Sequence, residues 1–279
     1  MDRCALITGC SSGIGRATAL AFLAEDWDVV ATSRAQRMIS DLAEAGCFTH
    51  RLDVTEQESV DALISAVESE YGRIDCLVNN AGYAQFGPLE DVSLERLENQ
   101  FAVNVFGAQR VSNAVLPLMR SHDRGTIVTV SSSVTALPLP GTGPYVGSKA
   151  AIEAMHTALR SEIAADGIHV VLIKPGTVNT EFATRAREEL TPLYRRSTYA
   201  SVYQLLDDWL AFDGGGPGAV EPDEVADVIV NAASATQPEP TYTVGPIGAA
   251  ARLAKFVPTG VRDQIVSSIL RVTNWREQR

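Results

Sequence analysis

Six short runs of β-branched or continuously apolar residues recur along the first 175 positions, with longer segments between them. The runs are Cys4–Thr8, Val29–Ser33, Phe48–Leu52, Cys76–Asn79, Thr126–Ser131 and Val170–Lys174. Such runs suit strands covered on both faces. Helical patterns occupy Ile14–Ala24, Glu56–Tyr71, Arg96–Met119 and Ala150–Ala164. Strand–helix alternation of this kind requires a parallel sheet, and right-handed crossovers place helices on both sides of it. The expected fold is therefore α/β, a doubly wound Rossmann-like sheet, with Thr241–Val244 as a seventh strand.

No Gly/Ser/Pro linker divides the first 175 residues, so residues 1–279 are expected to form one domain. The glycine-rich stretch Asp213–Gly218 comes too late to separate two domains. It reads as the end of a lid over residues 182–218, followed by a helix. Residues 246–279 read as a C-terminal helical extension.

Hydrophobic residues make up 46% of the chain, enough for a large core, and the net charge is -11. Neutralising phosphates needs a basic face, so this balance argues against a nucleic-acid partner. Cys4, Cys10, Cys47 and Cys76 have no metal-ligand spacing and no His cluster, and read as buried thiols in a reducing compartment. His50, His122, His156 and His169 are scattered and read as surface or packing residues, and Trp27, Trp209 and Trp275 as packing aromatics. No metal is expected. The N-terminal residues read as a first strand rather than a signal peptide, and no apolar run reaches the roughly 18 residues of a membrane helix. A cytoplasmic protein is expected.

The first run ends in Thr8-Gly9-Cys10-Ser11-Ser12-Gly13-Ile14-Gly15. Glycines at this spacing permit a tight turn and a close approach of backbone to a phosphate, and the helix that follows offers free amides. A merely structural strand–helix turn is the competing reading. A dinucleotide site that takes NAD places an acid after the second strand, for the ribose 2′-hydroxyl. Here Ser33 and Arg34 stand there instead, and Arg34 can pair with a 2′-phosphate. Arg37 could add to it. NADP is the expected cofactor, against a reading of Arg34 as a solvated surface charge.

Gly9-x-x-x-Gly13-x-Gly15, Asn79-Asn80-Ala81-Gly82, Ser131-Ser132, Tyr145-x-x-x-Lys149 and Pro175-Gly176 occur together, in this order. Over about residues 3–182 the chain resembles the short-chain dehydrogenase/reductases, and the stretch Asn80–Glu90 resembles their 17β-hydroxysteroid and retinol dehydrogenase branch. The resemblance implies a cofactor site of Gly9, Ser11, Ser12, Gly13, Ile14, Gly15, Ser33, Arg34, Asp53, Val54, Asn80, Ala81, Gly82, Tyr145, Lys149, Pro175, Gly176, Val178 and Thr180. Asp53 would bind the adenine amine. Asn79 would hold the central strands together. Thr177, Val178 and Thr180 would contact the nicotinamide carboxamide and pyrophosphate. Asn104 would anchor a proton-relay water through its backbone. Of Ser131, Ser132 and Ser133, the family spacing to Tyr145 selects Ser132. Homodimers or homotetramers built on Arg96–Met119 and Ala150–Ala164 are also implied.

Carbonyl reduction adds a hydride to carbon and a proton to oxygen; the nicotinamide supplies the first and the protein the second. Tyr145 and Lys149 lie four apart, so on a helix they share a face. The Lys149 cation is expected to lower the Tyr145 pKa. Pro144 suits the first helical position, with Thr142 or Gly143 at the cap. Ser132 would hydrogen-bond the substrate oxygen. Asn104, Ser132, Tyr145 and Lys149 are thus the expected catalytic set, with Ser132, Tyr145 and Leu137 at the substrate.

The 182–212 segment carries apolar residues at helical spacing and, with Leu137, Leu139, Tyr83 and Phe86, suits a hydrophobic alcohol or ketone, steroid-, retinoid- or acyl-like. A catalytically silent NADP-binding redox sensor and a lyase or epimerase on the same scaffold stand as alternatives. In the basic tail, Val261, Ile265, Ile269 and Leu270 recur at helical spacing. Docking on the domain or on a partner subunit is favoured there over a membrane-surface helix.

Overall fold

In the computed structural model the described residues are 3–211, 215–216, 218–254, 257–261, 263–264 and 266–268. The elements follow as β1 (Cys4–Ile7), α1 (Gly13–Ala24), β2 (Asp28–Ser33), α2 (Ser40–Glu44), β3 (Phe48–Arg51), α3 (Gln57–Tyr71) and β4 (Cys76–Asn79). Then come α4 (Leu94–Phe101), α5 (Ala108–Arg120), β5 (Gly125–Val130), α6 (Gly143–Glu162) and β6 (Ile168–Pro175). The last are α7 (Phe182–Leu190), α8 (Ala200–Leu210), α9 (Pro222–Ser234), β7 (Thr241–Val244) and α10 (Gly245–Ala254). The seven strands pair in the order β3-β2-β1-β4-β5-β6-β7, all parallel. This is the expected doubly wound sheet, and Thr241–Val244 is its edge strand.

Alternation along each strand divides the core in two. Ala5, Ile7, Cys76, Val78, Val128 and Val130 pack with α1, α2 and α9 on one face. Cys4, Leu6, Leu77 and Ile127 pack with α3, α5 and α6 on the other. All four cysteines are free and buried; burial raises Cys4 and Cys10 to about 12 and Cys47 to about 11. A third apolar cluster sits beyond the sheet, where α7 and α8 cover Ala84, Phe86, Tyr145 and Val146.

Two helices differ from the sequence expectation. Arg96–Met119 is not one regular helix: a π-helical turn, Ala102–Gly107, separates α4 from α5. Its buried Asn104 turns inward and bonds the Tyr83 backbone and Ser148, contacts that hydrophobic periodicity does not register. Helix α6 starts at Gly143 with Thr142 at its cap, so Pro144 is the second helical residue, still within the turn where no amide is needed.

The start of the C-terminal extension, α10, packs against a short 3-10 turn at Ser133–Ala136. Phe212, Asp213, Gly214, Pro217, Lys255, Arg262, Ile265, Ile269 and Leu270 lie outside the described residues, as do Arg271, Trp275, Arg276 and Arg279. Among the described residues no helix is long and apolar enough to cross a membrane, and no cluster of candidate metal ligands occurs.

The amino end of the sheet is fixed by Asp75. Its carboxylate accepts from the Cys4 amide (2.9 Å), from Arg73 (2.7 Å) and from Arg124 (2.8 Å). Burial alone would raise its pKa, but these donors hold it below the usual carboxylate value. Asp75→Ala should cost about 2–3 kcal/mol, the range for hydrogen bonds to a charged group, and lower the midpoint of thermal unfolding. Because the folded pKa is depressed, this stabilisation should be complete above about pH 5 and fade as pH falls through the unfolded value near about 4 towards the lowered one. Melting curves of both proteins across pH 3–7 should therefore converge at the acid end.

Candidate active site

The expected cofactor residues gather at the carboxyl ends of β1 and β4, where the chain changes direction across the sheet. This is where open α/β sheets place their ligands. After β1 the backbone turns at Gly9, with φ +76°. A Cβ on Gly9 would lie 2.9 Å from Ala81 Cα, and one on Gly15 would overlap the Gly9 carbonyl and the Asn80 side chain. Ser12 sits at the cap of α1, but its hydroxyl makes no capping bond, and no acid lies in the first turn. The leading amides of α1 are thus free of a side-chain cap, as an anion site requires. Ser11, Ser12, Gly13 and Ile14 are half-buried around it. Thr180 faces Gly13, and Arg185 of α7 donates to Ser12 Oγ at 3.0 Å.

Asn80 Nδ2 donates to the Thr8 carbonyl (2.9 Å) and the Gly9 carbonyl (3.1 Å). The Asn80 and Ala81 amides both donate to Thr8 Oγ1, at 3.0 and 2.9 Å. The tie between the central strands therefore runs through Asn80 and not through Asn79. Asn79 is buried, and its Nδ2 donates to Ser112 of α5 at 2.9 Å.

At the end of β2, Arg34 is exposed, whereas Ser33 is buried and its hydroxyl folds onto Ala35. Asp53 accepts from the Thr55 amide (2.9 Å) and hydroxyl (2.7 Å). Burial would raise its pKa, but these bonds and the charges of Arg34 and Arg51 lower it. Arg34 and Asp53 thus share one corner of the cleft. Val54 is buried in the core, and its carbonyl accepts from Arg110 at 2.5 Å. Pro175 ends β6, and Gly176 follows it against Ile247 of α10. Val178 forms a bridge with Val220 and packs on the first core face.

Ser132, Tyr145 and Lys149 converge next to this cleft. Ser132 follows β5 and caps the 133–136 turn; Tyr145 and Lys149 lie one turn apart on α6. The Ser132 side chain lies near enough to the Tyr145 phenol to pull its pKa down. Lys149 Nζ donates to the Val130 carbonyl at 2.8 Å and lies 6.0 Å from the Tyr145 ring centroid. It also faces Gly82, whose half-buried neighbours Ala81 and Tyr83 lead back to the glycine turn. Asn104 Nδ2 donates to the Tyr83 carbonyl (3.0 Å) and to Ser148 Oγ (3.1 Å), and Ser148 donates to the Tyr145 carbonyl (2.7 Å). Its side chain is thus occupied with holding this corner, and its backbone lies in a π turn, where the regular hydrogen-bond ladder is interrupted.

Burial under aromatic rings governs the protonation of this group. Phe86 and Phe182 lie 5.7 and 5.5 Å from the Tyr145 ring, and Trp209 is 5.3 Å from Phe86. Burial pushes the Tyr145 phenol up to about 12; Ser132 pulls it down and Glu153 pushes it up further. The expected lowering of that pKa by Lys149 is not seen: burial dominates, and the Lys149 ammonium donates to the Val130 carbonyl. Burial lowers Lys149 itself to about 8, against the opposing pull of Glu153. A phenol held protonated is the form that donates a proton. Leu137 ends the 133–136 turn and is half-buried.

The geometry adds Thr8, Phe182, Arg185 and Glu153 to the residues read from sequence. Glu153 alone carried a spacing signal, since it continues the four-residue step from Tyr145 and Lys149.

The closely packed glycine turn and the uncapped α1 fit a dinucleotide. Comparison with known proteins agrees with this architecture. A family model described as short chain dehydrogenase matches residues 3–191. The uncharacterized oxidoreductase YusZ of Bacillus subtilis is 36% identical over 239 residues, covering 82% of this chain and 84% of the relative. An NADPH-dependent 3-dehydrocapnine reductase of Ornithobacterium rhinotracheale is 32% identical, covering 94% of this chain and 95% of the relative. Among solved structures, a short-chain dehydrogenase from Streptomyces avermitilis superposes with a TM-score of 0.78 at 29% identity, over 99% of this chain and 97% of that one. An alcohol dehydrogenase from the archaeon Thermococcus sibiricus, complexed with 5-hydroxy-NADP, gives 0.72 at 25% identity, over 89% of this chain and 98% of that one. With its parallel seven-stranded sheet, its glycine turn and this match, the chain belongs to the short-chain dehydrogenase family and is a nucleotide-binding oxidoreductase.

Proposed function

We propose that this protein transfers a hydride between NADP(H) and a hydrophobic secondary alcohol or ketone. The observation that carries the proposal is the convergence of Ser132, Tyr145 and Lys149 beside the glycine turn, with Tyr145 protonated beneath Phe86 and Phe182. The nicotinamide, when bound, supplies the hydride. The Tyr145 phenol delivers the proton to the carbonyl oxygen, and Ser132 hydrogen-bonds the same oxygen as charge builds on it. Lys149 holds the ribose hydroxyls and, swung from the Val130 carbonyl, places its charge beside Tyr145. Asn104 holds Tyr83 and Ser148 so that the start of α6 keeps its place, and offers its backbone to the water that reprotonates the phenol.

Residues 182–218 act as a lid within a single domain. Phe182, Phe86 and Trp209 give its underside an apolar surface, which favours a hydrophobic substrate. Exposed Leu94 and Phe106, 69% and 56% accessible, suit a subunit contact on the α4–α5 side.

The preference for NADP rests on exposed Arg34 and on the lack of an acid at the end of β2. It is also in keeping with the NADPH-dependent relative from Ornithobacterium rhinotracheale. Solved relatives occur with NADP and with NAD, so the corner around Arg34 has to decide. Arg34→Ala should weaken NADPH binding about tenfold or more, the loss of a charge-assisted bond, and leave NADH binding unchanged in fluorescence titrations. Equal effects on both would remove the assignment. Tyr145→Phe should still bind NADPH but lose at least about a hundredfold in turnover with a panel of hydrophobic ketones; wild-type turnover would sink the proposed role of Tyr145.

A further inference from the structure

Helix α6 carries a third polar residue on the face that holds Tyr145 and Lys149. Glu153 is one turn beyond Lys149, and its carboxylate is enclosed between the ends of β5 and β6. One oxygen accepts from Ser131 Oγ at 2.5 Å and from Thr135 Oγ1 at 3.0 Å. The other accepts from Lys174 Nζ at 2.5 Å. Lys174 is 8% exposed and Ser131 4%. A buried carboxylate is costly unless donors surround it, and here two of the three come from residues that flank Ser132. Ser131 precedes it, and its amide is fixed to the Ile173 carbonyl at 2.8 Å. Thr135 lies one turn later, and its hydroxyl is also 2.9 Å from the Ser132 carbonyl, so its one proton serves either acceptor.

We propose that Glu153, neutralised by Lys174, is a positioning residue that clamps the chain on both sides of Ser132 and so fixes the Ser132 hydroxyl against Tyr145. The proposal rests on the role given to Ser132 above. Its logic is that of an outer carboxylate orienting an inner ligand. Ser132 itself has weak local support: the Val134 amide reaches its hydroxyl at only 3.4 Å. If Ser131 and Thr135 lost their common acceptor, Ser132 would keep only this long bond to its hydroxyl and the Thr135 contact to its carbonyl, neither of which aims the hydroxyl at Tyr145. Lys174 has a second consequence. It cancels a negative charge that otherwise opposes ionisation of Tyr145, since Glu153 is among the groups that raise the phenol.

A merely structural ion pair predicts a different pattern of coupling, and a double-mutant cycle separates the two. Glu153→Ala should lower kcat about 30-fold, the scale of a misplaced group in an active site, with NADPH affinity by fluorescence titration unchanged. In a Ser132→Ala background, the same change should cost no more than about twofold, because its target is gone. The Glu153→Leu/Lys174→Met pair removes both charges together, leaves none unpaired, and carries the same cycle if Glu153→Ala does not fold. A full loss repeated in the Ser132→Ala background, or an unchanged kcat, overturns the clamp. Turnover that survives Tyr145→Phe would instead overturn the catalytic assignment of the site, so the two failures are distinguishable.

Discussion

The site depends on a three-way contact of Gly9, Gly15 and Asn80. The Asn80 side chain donates to the carbonyls of Thr8 and Gly9, and Gly15 packs so closely on the Gly9 carbonyl and the Asn80 side chain that a methyl group would overlap them. This contact brings the end of β4 against the turn after β1. It thereby sets the angle at which α1 leaves the sheet and points its uncapped amides at the cleft. Ala81, Gly82 and Tyr83 then continue along the rim to Asn104 and Lys149. A displacement at Asn80 would therefore reach both the glycine turn and the group formed by Ser132, Tyr145 and Lys149.

The chemistry at the other side of the cleft is set by desolvation. Tyr145 and Lys149 are nearly inaccessible, and burial moves their pKa values in opposite directions, towards a neutral phenol and a weakened ammonium. The aromatic cover that causes this belongs to α7, α8 and the segment before α4, not to the sheet. In the proposed function, substrate choice and proton chemistry share these side chains, so altering Phe86 or Phe182 should change both at once.

Much of this was legible in the chain because it rests on local rules. Strands buried on both faces leave apolar runs, and tight turns leave glycines, so the sheet, the glycine turn and the Tyr145–Lys149 spacing could be read directly. What the sequence hid depends on tertiary contacts. The π turn at Ala102–Gly107 arises where Asn104 reaches Tyr83 and Ser148, far from it in sequence. The exchange of roles between Asn79 and Asn80 follows from their tertiary partners, Ser112 for Asn79 and the Thr8 and Gly9 carbonyls for Asn80, although the end of β4 itself is legible in the chain. The raised pKa of Tyr145 depends on burial, and Lys149 is tied to the Val130 carbonyl; spacing along a helix shows neither.

In the proposed function, hydride and proton are delivered to one carbonyl in this cleft. The most direct measurement is isotopic: incubate the protein with NADPH deuterated at the transferable C4 position and a panel of hydrophobic ketones, then locate the label in the product by mass spectrometry and NMR. One deuterium on the carbinol carbon is expected, matched by one NADPH oxidised. Product formed without label and without net NADPH consumption would contradict it and point to lyase or epimerase chemistry.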